Sequence, residues 1–165
     1  MDFSTLINQI DQTHLALQQN AVKAINSHIK LKNWLIGFYI IEFEQNGEDR
    51  AKYGTQLLKE LAKSIRIKGL TAPELSRCRQ FFNTYQLFFF FFFLLPAYNQ
   101  IHEQILGSMT QNSQNKILGS LTQESQNTVK QEDGSYYKQI FTQISYTHFV
   151  ELIKIKEPTK RKFYE

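Results

Sequence analysis

The sequence predicts an all-α fold in which a long N-terminal helix precedes a helix-turn-helix-like core. No proline occurs before residue 73, so nothing interrupts a helix in the first part of the chain. Apolar residues recur there every seven positions, at Leu15, Val22, Ile29, Ile36 and Phe43. Hydrophobic residues make up 42% of the 165 residues and charged residues 21%, as in ordinary folded domains.

The seven-residue repeat predicts an amphipathic helix over residues 12–45, or two stacked helices over the same range. Ile25 and Ile40 lie on the same side as the repeat. Asn46-Gly47 is a suitable end, because glycine accepts the left-handed conformation that closes a helix. The apolar side either packs on the next element or forms a self-association seam like that of a coiled coil.

A second helix is expected over residues 54–66, with leucines and an isoleucine at helical spacing. Gly69 then predicts a short turn, and Leu70 is placed to fill the corner. Thr71-Ala72-Pro73-Glu74 is typical of a helix start, with a threonine cap, an early proline and a glutamate three residues after the cap. Helix, glycine turn and capped helix together indicate a helix-turn-helix.

The helix that follows has distinct inner and outer sides. We expect three residues of this helix to be buried: Leu75, Cys78 and Phe82. We expect four to face outward: Ser76, Arg77, Gln80 and Thr84. On a recognition helix, arginine can read guanine and glutamine can read adenine.

Positive charge is concentrated on this part of the chain. Residues 52–79 hold seven bases and two acids, a local charge of +5 against +4 for the whole chain. Such a cluster fits contacts to phosphates, which make binding depend on salt. It also fits the solvated face of an ordinary helical hairpin, and the sequence leaves both interpretations open.

Two stretches after residue 86 are unusual. Residues 88–93 are six consecutive phenylalanines, which either fill a core between elements or form a hydrophobic docking segment. Residues 105–115 and 117–127 match at nine of eleven positions, which indicates a tandem duplication within a polar connector.

Two helices are expected near the end of the chain. The first begins at Ser145-Tyr146, and its inward residues are Tyr146, Phe149, Val150 and Ile153. The second begins after Pro158.

The residues that carry catalysis or bind metals are scarce. The single cysteine, Cys78, falls on a buried helical face, and no two of the four histidines have the spacing of a helical metal site. We therefore expect no enzyme, metal or cofactor.

The apolar run over residues 87–97 is too short to span a membrane, and the N-terminus lacks a secretory signal, so a cytoplasmic protein is expected.

Several of these segments together resemble the N-terminal domain of the bacterial YhcG family. They comprise residues 34–37, 53–54, 57–61, 69–71 and 75–82, followed by a second signature at residues 144–153 that continues to Pro158, Arg161, Phe163 and Tyr164. The resemblance implies an all-helical, helix-turn-helix-like domain that binds DNA. In the family it is usually followed by a PD-(D/E)XK nuclease domain, whose two carboxylates and lysine hold a metal and activate water. No Asp or Glu here has a lysine two positions later, so we expect that domain to be absent, in an isolated N-terminal domain or a truncated gene.

The sequence thus predicts three regions. They are residues 1–98 with the long helix and the helix-turn-helix, residues 99–135 as a polar linker, and residues 136–165 as a helical signature packed on the same domain. The leading hypothesis is a non-catalytic domain that binds double-stranded DNA. Its expected phosphate contacts are Lys59, Lys63, Arg66 and Lys68, and the residues nearest the bases are Thr71, Ser76, Arg77 and Gln80. The alternative is a protein-interaction or oligomerisation module that uses the face of residues 15–43 and the phenylalanine run. A subunit that supports a nuclease on another chain is a third possibility.

Overall fold

The computed structural model describes residues 2–46, 56–86, 136 and 139–165. Its helices are α1 (Phe3–Asn46), α2 (Leu57–Ser64), α3 (Ala72–Thr84), α4 (Tyr146–Leu152) and α5 (Pro158–Tyr164). Residues 139–143 are also helical, and these ranges contain no strand, so the all-α prediction is confirmed. The phenylalanine run, the duplicated segment and the predicted linker lie outside the described residues.

Helix α1 is a single continuous helix of 44 residues, about 66 Å long. It begins nine residues before the predicted start, and it is not divided into two stacked helices. Asp2 caps it, because its Oδ1 accepts hydrogen bonds from the Thr5 backbone N–H at 2.7 Å and from Ser4 Oγ at 2.9 Å. These bonds lower the pKa of the Asp2 carboxyl.

Helices α1 and α3 pack closely, and Gly37 marks the point of nearest approach. A Cβ at Gly37 would lie 2.1 Å from the carbonyl oxygen of Cys78, so only glycine allows this backbone contact. The Phe82 ring lies against Trp34, with 4.9 Å between centroids. Trp34 Nε1 also donates a hydrogen bond of 2.8 Å to the carbonyl oxygen of Tyr85, which fixes the end of α3 on α1.

The inner side of α3 is wider than the sequence predicted. Leu75 and Cys78 are fully buried as expected, but the third fully buried residue is Phe81, and Phe82 is only half-buried. The reason is that α3 has two neighbours on this side. Phe82 faces α1, whereas Phe81 faces Phe149 of α4, with ring centroids 5.3 Å apart.

Helix α4 joins the same core as α1 and α3. Phe149 is fully buried and packs on Phe81 and Tyr85, and Ile153 is buried as predicted. Leu152 is also buried, which the sequence pattern did not predict, while Tyr146 and Val150 are half-buried. Helix α4 therefore packs on the body that α1 and α3 form.

The short helix α2 covers a smaller apolar cluster. Leu58, Leu61 and Ile65 are half-buried against the buried residues Ile40, Leu70 and Leu75. Gly69 has a φ of 89°, the left-handed conformation expected of a turn glycine, and Leu70 fills the corner as predicted.

One detail of the predicted start of α3 is wrong. Thr71 occupies the cap position, but its side chain makes no capping hydrogen bond. The carboxylate of Glu74, expected to complete a capping box, is bonded instead to Arg77 and Tyr146.

A buried lysine ties α1 to the segment before α4. Lys30 is 1% exposed, and its Nζ donates hydrogen bonds to the carbonyl oxygens of Phe141 and Ile144, with 2.8 Å to the latter. The same Nζ lies 4.5 Å from the centroid of the Phe141 ring. Burial lowers the pKa of Lys30 to about 8.

Candidate nucleic-acid interface

The outer face of α3 is open to a partner. Arg77, Gln80 and Asn83 are exposed and follow one another at three-residue intervals, so they lie on one side of the helix. The opposite side holds the fully buried residues Leu75, Cys78 and Phe81, which fixes the rotation of α3 about its axis. The sequence placed Thr84 rather than Asn83 on this outer face, but Thr84 is half-buried.

An acidic residue holds Arg77 in place. Arg77 donates a hydrogen bond of 2.6 Å to Glu74 Oε2, and Glu74 Oε1 accepts one of 3.2 Å from the Tyr146 hydroxyl. The bond to Glu74 raises the pKa of Arg77. This pair was not predicted from the sequence, although glutamate and arginine three residues apart on a helix are placed to interact.

Four cations extend the surface along α2 and the turn. Lys59, Lys63, Arg66 and Lys68 are all exposed. Lys63 pairs with Glu60 at 2.8 Å, and the other three take part in no ion pair within the described ranges. Such exposed pairs are weak and easily opened.

Three further residues of this region differ from one another in exposure and contacts. Thr71 is exposed beside the turn, whereas Ser76 is half-buried. Arg79 points back to α1 and pairs with Glu44 at 2.6 Å, so it links two helices and does not face the open side.

The connection between α2 and α3 differs from that of a helix-turn-helix. Residues 65–71 separate the two helices, whereas a helix-turn-helix has a turn of about three or four residues. Ile65 already has extended backbone, with ψ of 115°, which ends α2 two residues before the predicted position. The arrangement is a helical hairpin with a longer connection.

In the described residues no group of three His, Cys, Asp or Glu side chains could hold a metal ion. Cys78 is buried, and burial raises the pKa of its thiol to about 11. None of the helices among the described residues is long and apolar enough to span a membrane.

The fold and this surface define an all-helical domain that presents a cationic helical hairpin. Residues 9–91 match the model of the DUF1016 N-terminal domain family, and the chain belongs to this family. It is 35% identical over 92 residues to the protein of Escherichia coli K12 named "Putative nuclease YhcG", which confirms the resemblance seen in the sequence. The aligned part covers 54% of this chain and 22% of that protein. No solved structure matches the chain.

Proposed function

We propose that this chain is a non-catalytic DNA-binding domain that receives double-stranded DNA on α2, α3 and the turn between them. The observation that carries the proposal is the two-sided character of α3. Its inner side holds the fully buried residues Leu75, Cys78 and Phe81, while its outer side exposes Arg77, Gln80 and Asn83. These are side chains that can form paired hydrogen bonds with base edges in the major groove.

The cations of α2 and the turn supply the attraction to DNA. Lys59, Lys63, Arg66 and Lys68 are exposed on consecutive parts of the chain that lead into α3. We assign them to phosphates, since Lys and Arg near a recognition helix position the protein on the duplex. Arg77 and Gln80 would then reach the bases, with Thr71 and Ser76 at the border between both sets.

The ion pair of Arg77 does not prevent this role. Both partners are partly exposed, with side-chain exposures of 48% for Arg77 and 22% for Glu74. Opening a pair of this kind costs about 0–1 kcal/mol, less than a good arginine contact to a base provides. Glu74 keeps the Tyr146 hydroxyl as a partner when Arg77 turns to DNA.

The chain's relation to a nuclease supports the choice of DNA over other anions. The relative in Escherichia coli is named "Putative nuclease YhcG", and this chain corresponds to an N-terminal domain of that family. We propose that the domain locates DNA, and that cleavage, where it occurs, belongs to another domain or another chain. A cytoplasmic location fits this role.

The test is fluorescence anisotropy with a random-sequence duplex at two salt concentrations. Four phosphate contacts predict that the logarithm of the association constant falls with a slope of about −3 to −4 against the logarithm of salt. Replacing Arg77 with Ala should weaken binding by about 1–3 kcal/mol at fixed salt. Replacing Lys68 with Ala should make the salt slope shallower by about one unit.

The matched control is Lys23→Ala. It also removes one positive charge from an exposed position, but on the N-terminal half of α1, far along the chain from α2 and α3. Lys23→Ala should bind as the unmodified protein does. Absence of binding at low salt, or equal losses for Lys23→Ala and Arg77→Ala, would refute the proposed interface.

A further inference from the structure

The N-terminal half of α1 exposes large apolar side chains that have no use in a monomer. Phe3 is 77% exposed, Leu17 65% and Ile25 60%. Residues 2–25 are all exposed, so this half of the helix has no buried residue to hold it on the body of the domain. Helices gain most of their stability in proteins from packing, and a bare helix with an apolar face is best explained by a partner.

The exposed apolar side of α1 is not an extension of the side that packs on α3 and α4. At 3.6 residues per turn, the buried residues Leu31, Trp34 and Phe38 centre on one side of the helix. Ile7 and Ile25 lie on the other side, about half a turn away. The same side continues through Ile29, Ile36 and Phe43. We call this side, Phe3 to Phe43, the apolar stripe.

The apolar stripe ends in an apolar cleft between α1 and α2. The cleft has a volume of about 540 Å³ and is lined by Ile36 and Phe43 from α1 and by Leu57 and Leu61 from α2. Ile36 and Phe43 are seven residues apart, which is two helical turns. Phe3 and Ile10, at the other end of the same stripe, have the same separation.

We propose that the chain forms an antiparallel dimer in which the apolar stripes of two copies pack together. Phe3, Ile7 and Ile10 of each copy would enter the cleft of the other, opposite Phe43 and Ile36. Ile25 would then lie beside the two-fold axis. In such a symmetric contact both copies contribute the same surface, as is usual for dimers of identical chains.

The dimensions of the apolar stripe fit a dimer. A helix of about 66 Å that is covered along a width of about 10 Å buries roughly 660 Å² per copy, or about 1,300 Å² in all. This lies within the range of about 1,200–2,000 Å² that stable interfaces bury.

The charge of α1 also favours a second copy over other partners. Besides histidines, the charged residues that helical spacing places on the apolar stripe are Asp11 and Lys32, which have opposite charges. Two copies therefore meet without rows of like charge. A helix that lies on a membrane surface would instead carry a polar face rich in Lys and Arg.

Sedimentation equilibrium of the full 165-residue chain at high salt tests the proposal. We expect a concentration-dependent dimer of the 19.5 kDa chain, largely formed by about 100 µM. Ile25→Asp places two carboxylates near the two-fold axis and should weaken association by about 30-fold or more. Because Ile25 is exposed, this variant keeps the fold, which circular dichroism verifies.

Asn20→Asp is the matched control, because it adds the same charge to the opposite side of the same exposed part of α1. It should leave the dimer intact. Orientation is tested with single cysteines, since the natural Cys78 is buried. Ile25→Cys should be joined into a dimer by a short bifunctional thiol cross-linker, whereas Ile7→Cys should not, because an antiparallel pair holds the two copies of residue 7 far apart. A monomer at about 100 µM, equal losses for both Asp variants, or cross-linking through Ile7→Cys would overturn the proposal.

Discussion

The buried amine of Lys30 predicts that the protein becomes more stable between pH 7 and pH 9. Burial lowers the pKa of Lys30 from 10.5 to about 8 in the folded chain. Between these two values the unfolded chain binds more protons than the folded chain. The contribution of Lys30 to the free energy of unfolding therefore rises with pH across this window and levels off above pH 10.5.

The size of the effect follows from the same two values. Linkage gives Lys30 a contribution of about 1.3 kcal/mol between pH 7 and pH 9. Cys78 acts in the opposite direction, because burial raises its pKa from 9.0 to about 11 and the folded chain keeps a proton that the unfolded chain loses. That opposing contribution is about 0.4 kcal/mol up to pH 9, so the net gain is about 1 kcal/mol.

Urea unfolding at pH 7 and pH 9 measures this gain, with Lys30→Met as the diagnostic variant. Methionine fills the space but cannot titrate, so the rise should disappear, whatever the variant's absolute stability. The variant also leaves the carbonyls of Phe141 and Ile144 without this donor, which costs about 1–3 kcal/mol for each buried group. Lys23→Met, at an exposed position, should keep the rise. Parallel pH profiles for Lys30→Met and the unmodified chain would refute the reasoning.

Two further predictions concern α3. Gly37→Ala should destabilise the domain by about 2–3 kcal/mol in thermal unfolding, because the new Cβ would meet the backbone of Cys78 and the Cβ of Phe82 at 2.8 Å. Gly69→Ala, with open space but a φ of 89°, should cost only about 1–2 kcal/mol, and equal effects would contradict the close helix contact. Glu74→Gln removes a negative charge beside Arg77 and should strengthen DNA binding several-fold at low salt. Unchanged or weaker anisotropy-measured affinity would show that this part of α3 does not face DNA.

The helical elements could be predicted wherever a local signal marks them. The proline after Thr71 and the glycine at 69 located α3 and the turn, because proline fixes φ in the first turn of a helix and glycine accepts the left-handed conformation. The first nine residues of α1 were not predicted to be helical, because the prediction relied on the heptad repeat, which begins at Leu15. The cap that starts the helix is a single residue, Asp2, at the edge of the sequence.

The contacts that fix the core and the candidate interface depend on distant residues. Phe81 and Phe82 are equivalent in a helical pattern, and only the presence of α4 decides that Phe81 is fully buried. Lys30 lies in a polar part of α1, and its carbonyl partners are more than 100 residues away in the chain. Exposure of Arg77 and Gln80 was predictable from helical periodicity, whereas the link from Arg77 through Glu74 to Tyr146 was not.

The two proposals use different sides of α1 and different physics, so each can fail alone. The core, which carries α3 and its outer face, packs on the side of α1 that holds Trp34, and the apolar stripe lies about half a turn away. Phosphate contacts weaken as salt rises, whereas apolar association persists or strengthens. A chain that dimerises at high salt and binds DNA only at low salt satisfies both. A chain that dimerises but does not bind DNA would support the contact between apolar stripes and refute the role of Arg77. A monomer that binds DNA would support the role of Arg77 and refute the dimer.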